Sequence, residues 1–513
     1  MIMLPRIGRD TRALEAAGRR TSCFRRADKT ETALGSARMD DRVDEFGQLF
    51  AEFVRRALEN ESTKEPPFRA LIRDHLDADP TAIPVVAFDV ADWDHANLQF
   101  ALEALLAKPG REAELVGVGG GQKRYMALSL SDLINATHFE PGPVEYESLD
   151  VGPNTTHRCI LFGLVFLRAP EGRAVLFVRR GDQQGGPSPG LMVEVLATDA
   201  EYASALLDEL RALMREHNVF RGQMISLEST MWGQVKVVFH ERPTTRRDEV
   251  ILPEAVLVAI ERQTLGIARR ADALRAAGRH LKRGVLLHGP PGTGKTHTIS
   301  WLSAELDQAT VIVLTGGALG AVGPVSRLAR ELSPSLVVLE DVDLVAEERT
   351  MMHGGGSILF ELLNELDGMA DDADVVVVLT TNRPDLLEPA LAARPGRVDL
   401  AVEIPLPDFE SRRRLFELYA RGMPLDAPDV DAVANKTEGV TAAFFRELLR
   451  QAALEAAERG SDVAADEDLV RATDRLLEHA GTMTRILLGA ERRDGGQAPD
   501  DPRGWLMMGP GTE

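Results

Sequence analysis

Eight residues, Gly289-Pro290-Pro291-Gly292-Thr293-Gly294-Lys295-Thr296, have the types and spacing of a phosphate cradle. Glycines let the backbone turn tightly and bring its N–H groups against phosphate oxygens, where a side chain would collide. In the pattern G-x-x-x-x-G-K-[ST], the lysine, here Lys295, reaches the β- and γ-phosphates, and the final hydroxyl, here on Thr296, is a Mg²⁺ ligand. The apolar run Val285-Leu286-Leu287 reads as a buried strand entering the loop. Thr298 to Ala304 reads as the helix leaving it, its N-terminal dipole facing the anion. His297, directly after the cradle, is grouped with it as a nucleotide-contacting residue. The expected ligands are a nucleoside triphosphate and Mg²⁺.

Two further strand ends carry chemistry. Leu336-Val337-Val338-Leu339 ends in Glu340-Asp341-Val342-Asp343. Carboxylates there sit at the crevice where open α/β sheets bind ligands, one holding the Mg²⁺ shell and another orienting the attacking water. Val375 to Leu379 ends in Thr380-Thr381-Asn382, and the Asn382 amide is suited to bonding a γ-phosphate and the lytic water. Arg394-Pro395-Gly396-Arg397 then sets two guanidinium groups on a turn. An arginine close to a γ-phosphate stabilises transition-state charge, worth about 10³–10⁵ in rate. The candidate catalytic set is Glu340, Asp341, Asn382, Arg394 and Arg397.

These residues need a scaffold, and the chain is long enough for several domains. At 513 residues it is expected to hold about three. A hydrophobic fraction of 44% with 27% charged residues allows substantial cores. The net charge of −21 argues against nucleic acid as the principal partner. Two cysteines, Cys23 and Cys159, rule out a disulfide scaffold, and the longest apolar runs are too short for a membrane helix. A cytoplasmic protein is expected.

Residues 1–38 are Arg-rich and read as a disordered tail or as a start ahead of Met39, and the same composition could imitate an organellar transit peptide. Residues 39–80 read as a helical segment, from the one-face spacing of Val43, Phe46, Phe50, Phe53 and Ala57. Residues 81–245 read as a separate α/β domain, with a hairpin at Leu161 to Val178 turning through Ala169-Pro170-Glu171-Gly172. His240-Glu241 begins like a zinc-protease motif, but Arg242-Pro243-Thr244 supplies no second histidine and the proline would break the helix. The nucleotide-binding region is expected over 246–410, a helical segment over 411–485, and a disordered tail rich in Gly, Pro and Asp over 486–513.

In this order, Gly289 to Thr296, Leu362-Leu363-Asn364-Glu365-Leu366-Asp367-Gly368-Met369, Thr381 to Leu387, Pro395-Gly396-Arg397 and Pro405-Leu406-Pro407-Asp408 closely resemble the AAA family of ATPases. That family includes the proteasomal ATPases, the membrane protease FtsH and the mitochondrial complex III assembly ATPase. The resemblance covers about 250 to 485. It implies an α/β fold: a doubly wound, parallel-sheet P-loop core with a small helical lid, here preceded by the separate α/β domain. It also implies a homo-oligomeric, usually hexameric ring in which Arg394 and Arg397 reach a neighbour's nucleotide. Asp367-Gly368-Met369 looks like the family's inter-subunit signalling turn.

Three positions depart from the family pattern. The acidic pair is usually Asp then Glu, whereas Glu340 precedes Asp341 here, so Glu340 is expected nearer the Mg²⁺ and Asp341 nearer the lytic water. Ala392-Ala393 lengthen the stretch before Arg394 by one residue. The pore loop reads Ala321-Val322-Gly323, without the usual aromatic. FtsH-type proteolysis is not expected, because the second-histidine motif, a membrane span and chain beyond the lid for a peptidase are all missing. The leading expectation is ATP-driven remodelling of a protein or protein assembly, with 81–245 recognising the partner. A nucleotide-gated scaffold with slow hydrolysis and a DNA-directed relative are the alternatives.

Overall fold

The computed structural model describes residues 49–52, 65–119, 128–180, 190–229, 235–315, 322–343, 373–385 and 398–478. The chain divides into two units, Met1–Glu65 and Pro66–Glu513. In the first, residues 49–52 are helical, inside the apolar pattern read from Val43 to Ala57.

The second unit opens with α1 (Pro67–Leu76), whose proline stands at the helix start, where no N–H partner is needed. Phe68, Ile72 and Leu76 form a buried stripe on α1. They pack with Phe166, Val175 and Phe177 on one face of an antiparallel sheet. That sheet comprises β1 (Val86–Val90), β2 (Glu112–Gly119), β3 (Glu140–Gly142), β4 (Glu145–Gly152), β5 (Thr155–Ala169), β6 (Gly172–Arg180) and β7 (Leu191–Ala197). Its order is β1-β7-β6-β5-β2-β3, with β4 also paired to β5. Helices α2 (His95–Leu106) and α3 (Ala200–Glu216) cover the opposite face through Leu98, Leu102, Leu206 and Leu210. The β5–β6 hairpin closes at the Ala169–Gly172 pair, as its turn residues predict. Helix α1, inside the stretch 39–80 read as a helical segment, supplies core to this sheet.

The second sheet contains β8 (Met224–Ser229), β9 (Val235–His240), β10 (Arg283–His288), β11 (Thr310–Thr315), β12 (Ser335–Glu340), β13 (Val375–Thr381) and β14 (Leu400–Glu403). Its order is β14-β10-β13-β12-β11-β8-β9. Every pairing is parallel except the β8–β9 hairpin. All seven residues of β13 are buried, which explains its unbroken apolar run: side chains on both faces meet core. Helices α4 (Lys295–Glu305) and α5 (Val322–Glu331) connect strands of this sheet. Helices α6 (Phe409–Tyr419), α7 (Val430–Lys436), α8 (Ala442–Glu458) and α9 (Asp466–Glu478) follow it and pack around Phe416, Phe444, Phe445 and Leu448.

The sheet extends across the boundary read at 245. Strands β8 and β9 fall in the stretch read as the separate domain, yet β8 pairs with β11 from Met224–Val311 to Leu227–Leu314. Alternation of apolar residues identifies a strand without naming the sheet it joins.

Candidate nucleotide site

The loop leaves β10 at the C-terminal end of the parallel strands. Gly289 has φ of 148°, and a Cβ there would stand 2.3 Å from the Ile404 carbonyl oxygen. Gly292 has φ of 77°, and a Cβ would meet Thr441 Oγ1 at 2.9 Å, so the start of α8 lies against the cradle. The Ala443 N–H donates to the Gly292 carbonyl at 3.2 Å. Thr293 Oγ1 closes the turn by donating to the Pro290 carbonyl at 2.9 Å.

Lys295 begins α4 and is only 7% exposed. Its Nζ donates to the carbonyls of Gly289 at 2.7 Å and Pro290 at 2.9 Å, and to Asn382 Oδ1 at 2.7 Å. Burial lowers its pKa, against the opposing charges of Asp341 and Asp343. Asn382 Nδ2 in turn donates to Asp341 Oδ1 at 3.3 Å. The ends of β10, β12 and β13 therefore converge in one polar chain, Lys295–Asn382–Asp341.

Asp341 has φ of +50°, uncommon for a residue other than glycine though best tolerated by Asp and Asn. Its N–H donates to Thr380 Oγ1 at 3.0 Å, which fixes this turn against β13. Asp343 is buried and accepts from Thr381 Oγ1 at 2.9 Å and from the Asn382 N–H at 3.3 Å. It thereby seats the Asn382 backbone. Thr380, Thr381 and Asp343 are site-building residues to which the motifs gave no role. Their one sequence signal was position, at the ends of the same two apolar runs.

Glu340 Oε1 is inaccessible to solvent and has no hydrogen-bond partner among the described residues. Such an acceptor suits a hard cation. Among those residues no group of three or more His, Cys, Asp or Glu could hold a metal by itself. Mg²⁺ usually takes one or two carboxylates together with substrate phosphates, and Glu340 with the exposed Thr296 hydroxyl fits that pattern.

His297 has a backbone partner outside the phosphate cradle. Its Nε2 lies 3.1 Å from the Glu249 carbonyl. It lines a narrow cleft with Val250, Ile251, Thr293, Leu415 and Tyr419, between residues 249–252, the loop and α6. Arg394, Arg397, the segment 362–369 and Ala321 lie outside the described residues, as does the Val322 side chain.

The family model of the ATPase family associated with various cellular activities (AAA) matches residues 285–406, which run from β10 past β14. The chain carries an AAA ATPase domain. Within that nucleotide-binding domain, the matched span contains the cradle, both acidic positions and Asn382. The chain is 36% identical over 209 residues to the proteasome-activating nucleotidase of Pyrococcus horikoshii, covering 38% of this chain and 52% of that protein. It is 32% identical over 386 residues to the ATP-dependent zinc metalloprotease FtsH of Acidothermus cellulolyticus, covering 71% and 56%. A second FtsH, from Acidimicrobium ferrooxidans, is 31% identical over 287 residues, covering 53% and 43%. The chain thus spans about half the length of the curated relatives it matches. No helix among the described residues is long and apolar enough to cross a membrane.

Proposed function

We propose that this chain is a Mg²⁺-dependent ATPase that uses hydrolysis to rearrange a protein or protein assembly, working as a homo-oligomeric, hexameric ring. The observation that carries the reading is the Lys295–Asn382–Asp341 chain at the strand ends, beside a phosphate cradle. In this reading Lys295 exchanges the Gly289 and Pro290 carbonyls for the β- and γ-phosphates. As Lys295 moves it releases Asn382 Oδ1, which can accept from the attacking water, while Asn382 Nδ2 turns from Asp341 to donate to the γ-phosphate. Asp341 orients this water and accepts its proton as the water oxygen bonds to γ-phosphorus and the bond to the departing ADP oxygen breaks. Thr296 and Glu340 would hold Mg²⁺, which when bound supplies neutralising charge at the phosphoryl oxygens. His297 and its cleft would hold the base side of the nucleotide. Arg394 and Arg397 would complete a neighbouring subunit's site.

The antiparallel sheet domain would be the partner-recognition element, beginning at α1 rather than at residue 81. Ala321-Val322-Gly323 offers little surface to grip an extended chain, since aromatic rings give the large contact area at low entropy cost. The ring would therefore act by switching the posture of the recognition domain rather than by threading polypeptide. Phosphate release by the purified chain and nucleotide binding to Lys295→Ala test the core of this reading. Binding and turnover should both be lost in the variant. Wild-type ATP affinity in Lys295→Ala would overturn it.

A further inference from the structure

Arg242 belongs to the stretch that began like a zinc motif and carried no metal chemistry. It follows β9 by two residues and is half-buried. Its Nη1 donates to the carbonyls of Ser303 at 2.6 Å and Leu306 at 3.1 Å. Its Nη2 donates to the carbonyls of Gly222 at 3.0 Å and Ala309 at 2.7 Å. No carboxylate pairs with it among the described residues, and Asp307 is the acidic neighbour whose charge opposes the lowering of its pKa by burial. One planar guanidinium thus spends two forks on backbone carbonyls from three places.

Those places are the end of α4 and the approaches to β11 and β8. Ser303 and Leu306 are at the C-terminal end of α4, the helix whose first residue is Lys295. A cation there meets unpaired carbonyls and the negative end of the helix dipole. Ala309 directly precedes β11, and Gly222 precedes β8. The Gly222 N–H donates to Thr310 Oγ1 at 2.9 Å, and the Val311 N–H to the Gln223 carbonyl at 2.8 Å. Beyond β8 is β9, which packs against β4 of the antiparallel sheet. A cleft of about 380 Å³, lined by Trp93, Glu147, Arg180, Lys236 and Phe239, lies along this junction.

We propose that Arg242 is a positioning residue that couples occupancy of the phosphate cradle to the β8–β9 hairpin, and through it to the antiparallel sheet domain. The proposal rests on the ATPase reading above and names the route by which that site would set the domain's posture. A shift of α4 as Lys295 changes partners moves its terminal carbonyls, and Arg242 carries Gly222 and the start of β8 with them. A lysine could not reproduce this, because its single ammonium lacks the fixed fork that spans two carbonyls on each side.

Amide hydrogen exchange on the full chain, with and without ATPγS and Mg²⁺, tests the route. In the wild type, nucleotide should slow exchange both in the cradle, 289–296, and in β8. In Arg242→Met the cradle should still respond while the nucleotide-dependent slowing in β8 is lost. Arg242→Lys, the milder change, should reduce that slowing and serves if the methionine variant does not fold. A merely structural arginine would lower the thermal midpoint yet leave the nucleotide-dependent difference at β8 intact, and that result overturns the proposal. A wild-type cradle that responds without β8 overturns the proposal while the ATPase reading stands. A cradle that does not respond at all takes both down.

Discussion

The parallel sheet has two ends, and they treat their polar groups in opposite ways. At the N-terminal end, Arg283 Nη1 donates to Asp374 Oδ1 at 2.6 Å and to the Leu281 carbonyl at 2.5 Å, and Nη2 reaches the Thr264 carbonyl at 3.3 Å. The two side chains are 1% and 12% exposed, and Asp374 also ties β12 to β13 through its own carbonyl and the Ser335 N–H. At the C-terminal end, Lys295 bonds carbonyls it can exchange, Asp341 holds a positive φ, and a Glu340 oxygen has no partner among the described residues. One end uses most of its polar groups to hold strands together, although Arg283 Nε has no partner among the described residues. The other keeps strain and unspent groups where a ligand can use them.

Substitutions should separate the two ends cleanly. The largest effect is expected from Asp341→Asn, which keeps the backbone tolerance for positive φ and the hydrogen bond from Asn382 but not the proton acceptor. Steady-state turnover should fall about 10²–10⁴-fold with ATP binding and thermal midpoint retained. If Glu340→Gln does this while Asp341→Asn stays active, the two carboxylates exchange roles. Next comes Asp374→Ala, which leaves the buried Arg283 charge without its partner and should cost about 3–5 kcal/mol in denaturant unfolding. Where the variant remains folded, its KM for ATP should be unchanged. A changed KM at that distance would show that the ends are coupled.

Thr380→Val lies between these extremes. Loss of the hydroxyl that accepts the Asp341 N–H should cost about 1 kcal/mol of stability, with turnover falling more than binding and Thr380→Ser restoring both. The smallest effect concerns Lys295 in the nucleotide-free chain. Its pKa is lowered by burial, so between its folded value and the unfolded value of 10.5 the unfolded state binds more protons. Stability from this group therefore rises with pH through that window, and below it the charged ammonium is a cost. Lys295→Met should be the more stable chain in urea at pH 8, and its advantage should shrink by pH 10. A constant difference would mean that the ammonium is not desolvated.

What the sequence disclosed follows the distance between partners. Gly289 to Thr296 is legible because its chemistry is contiguous, and Glu340, Asp341 and Asn382 because each ends an apolar run. Thr380 acts on Asp341 from 39 positions away, marked only by its place at the end of an apolar run, and Arg242 acts on Ser303 from 61 with nothing local to mark it. The pairing of β8 with β11 was hidden for the same reason, since strand periodicity carries no address. α1 shows the converse: the four-residue spacing of Phe68, Ile72 and Leu76 is local, but the sheet it covers lies far along the chain.

The β8–β11 pairing also determines how the chain can be divided. A fragment starting at residue 246 would keep every motif of the nucleotide site but lose β8 and β9, the two strands at one side of the sheet. The hydrogen-bonding edge of β11, from Val311 to Leu314, would then be bare, and apolar partners of β8 such as Ile312 and Leu328 would lose part of their cover. An unprotected edge of that kind recruits a strand from another copy. Such a fragment is expected to self-associate before it can be assayed, whereas one begun before Gly222 should stay dispersed.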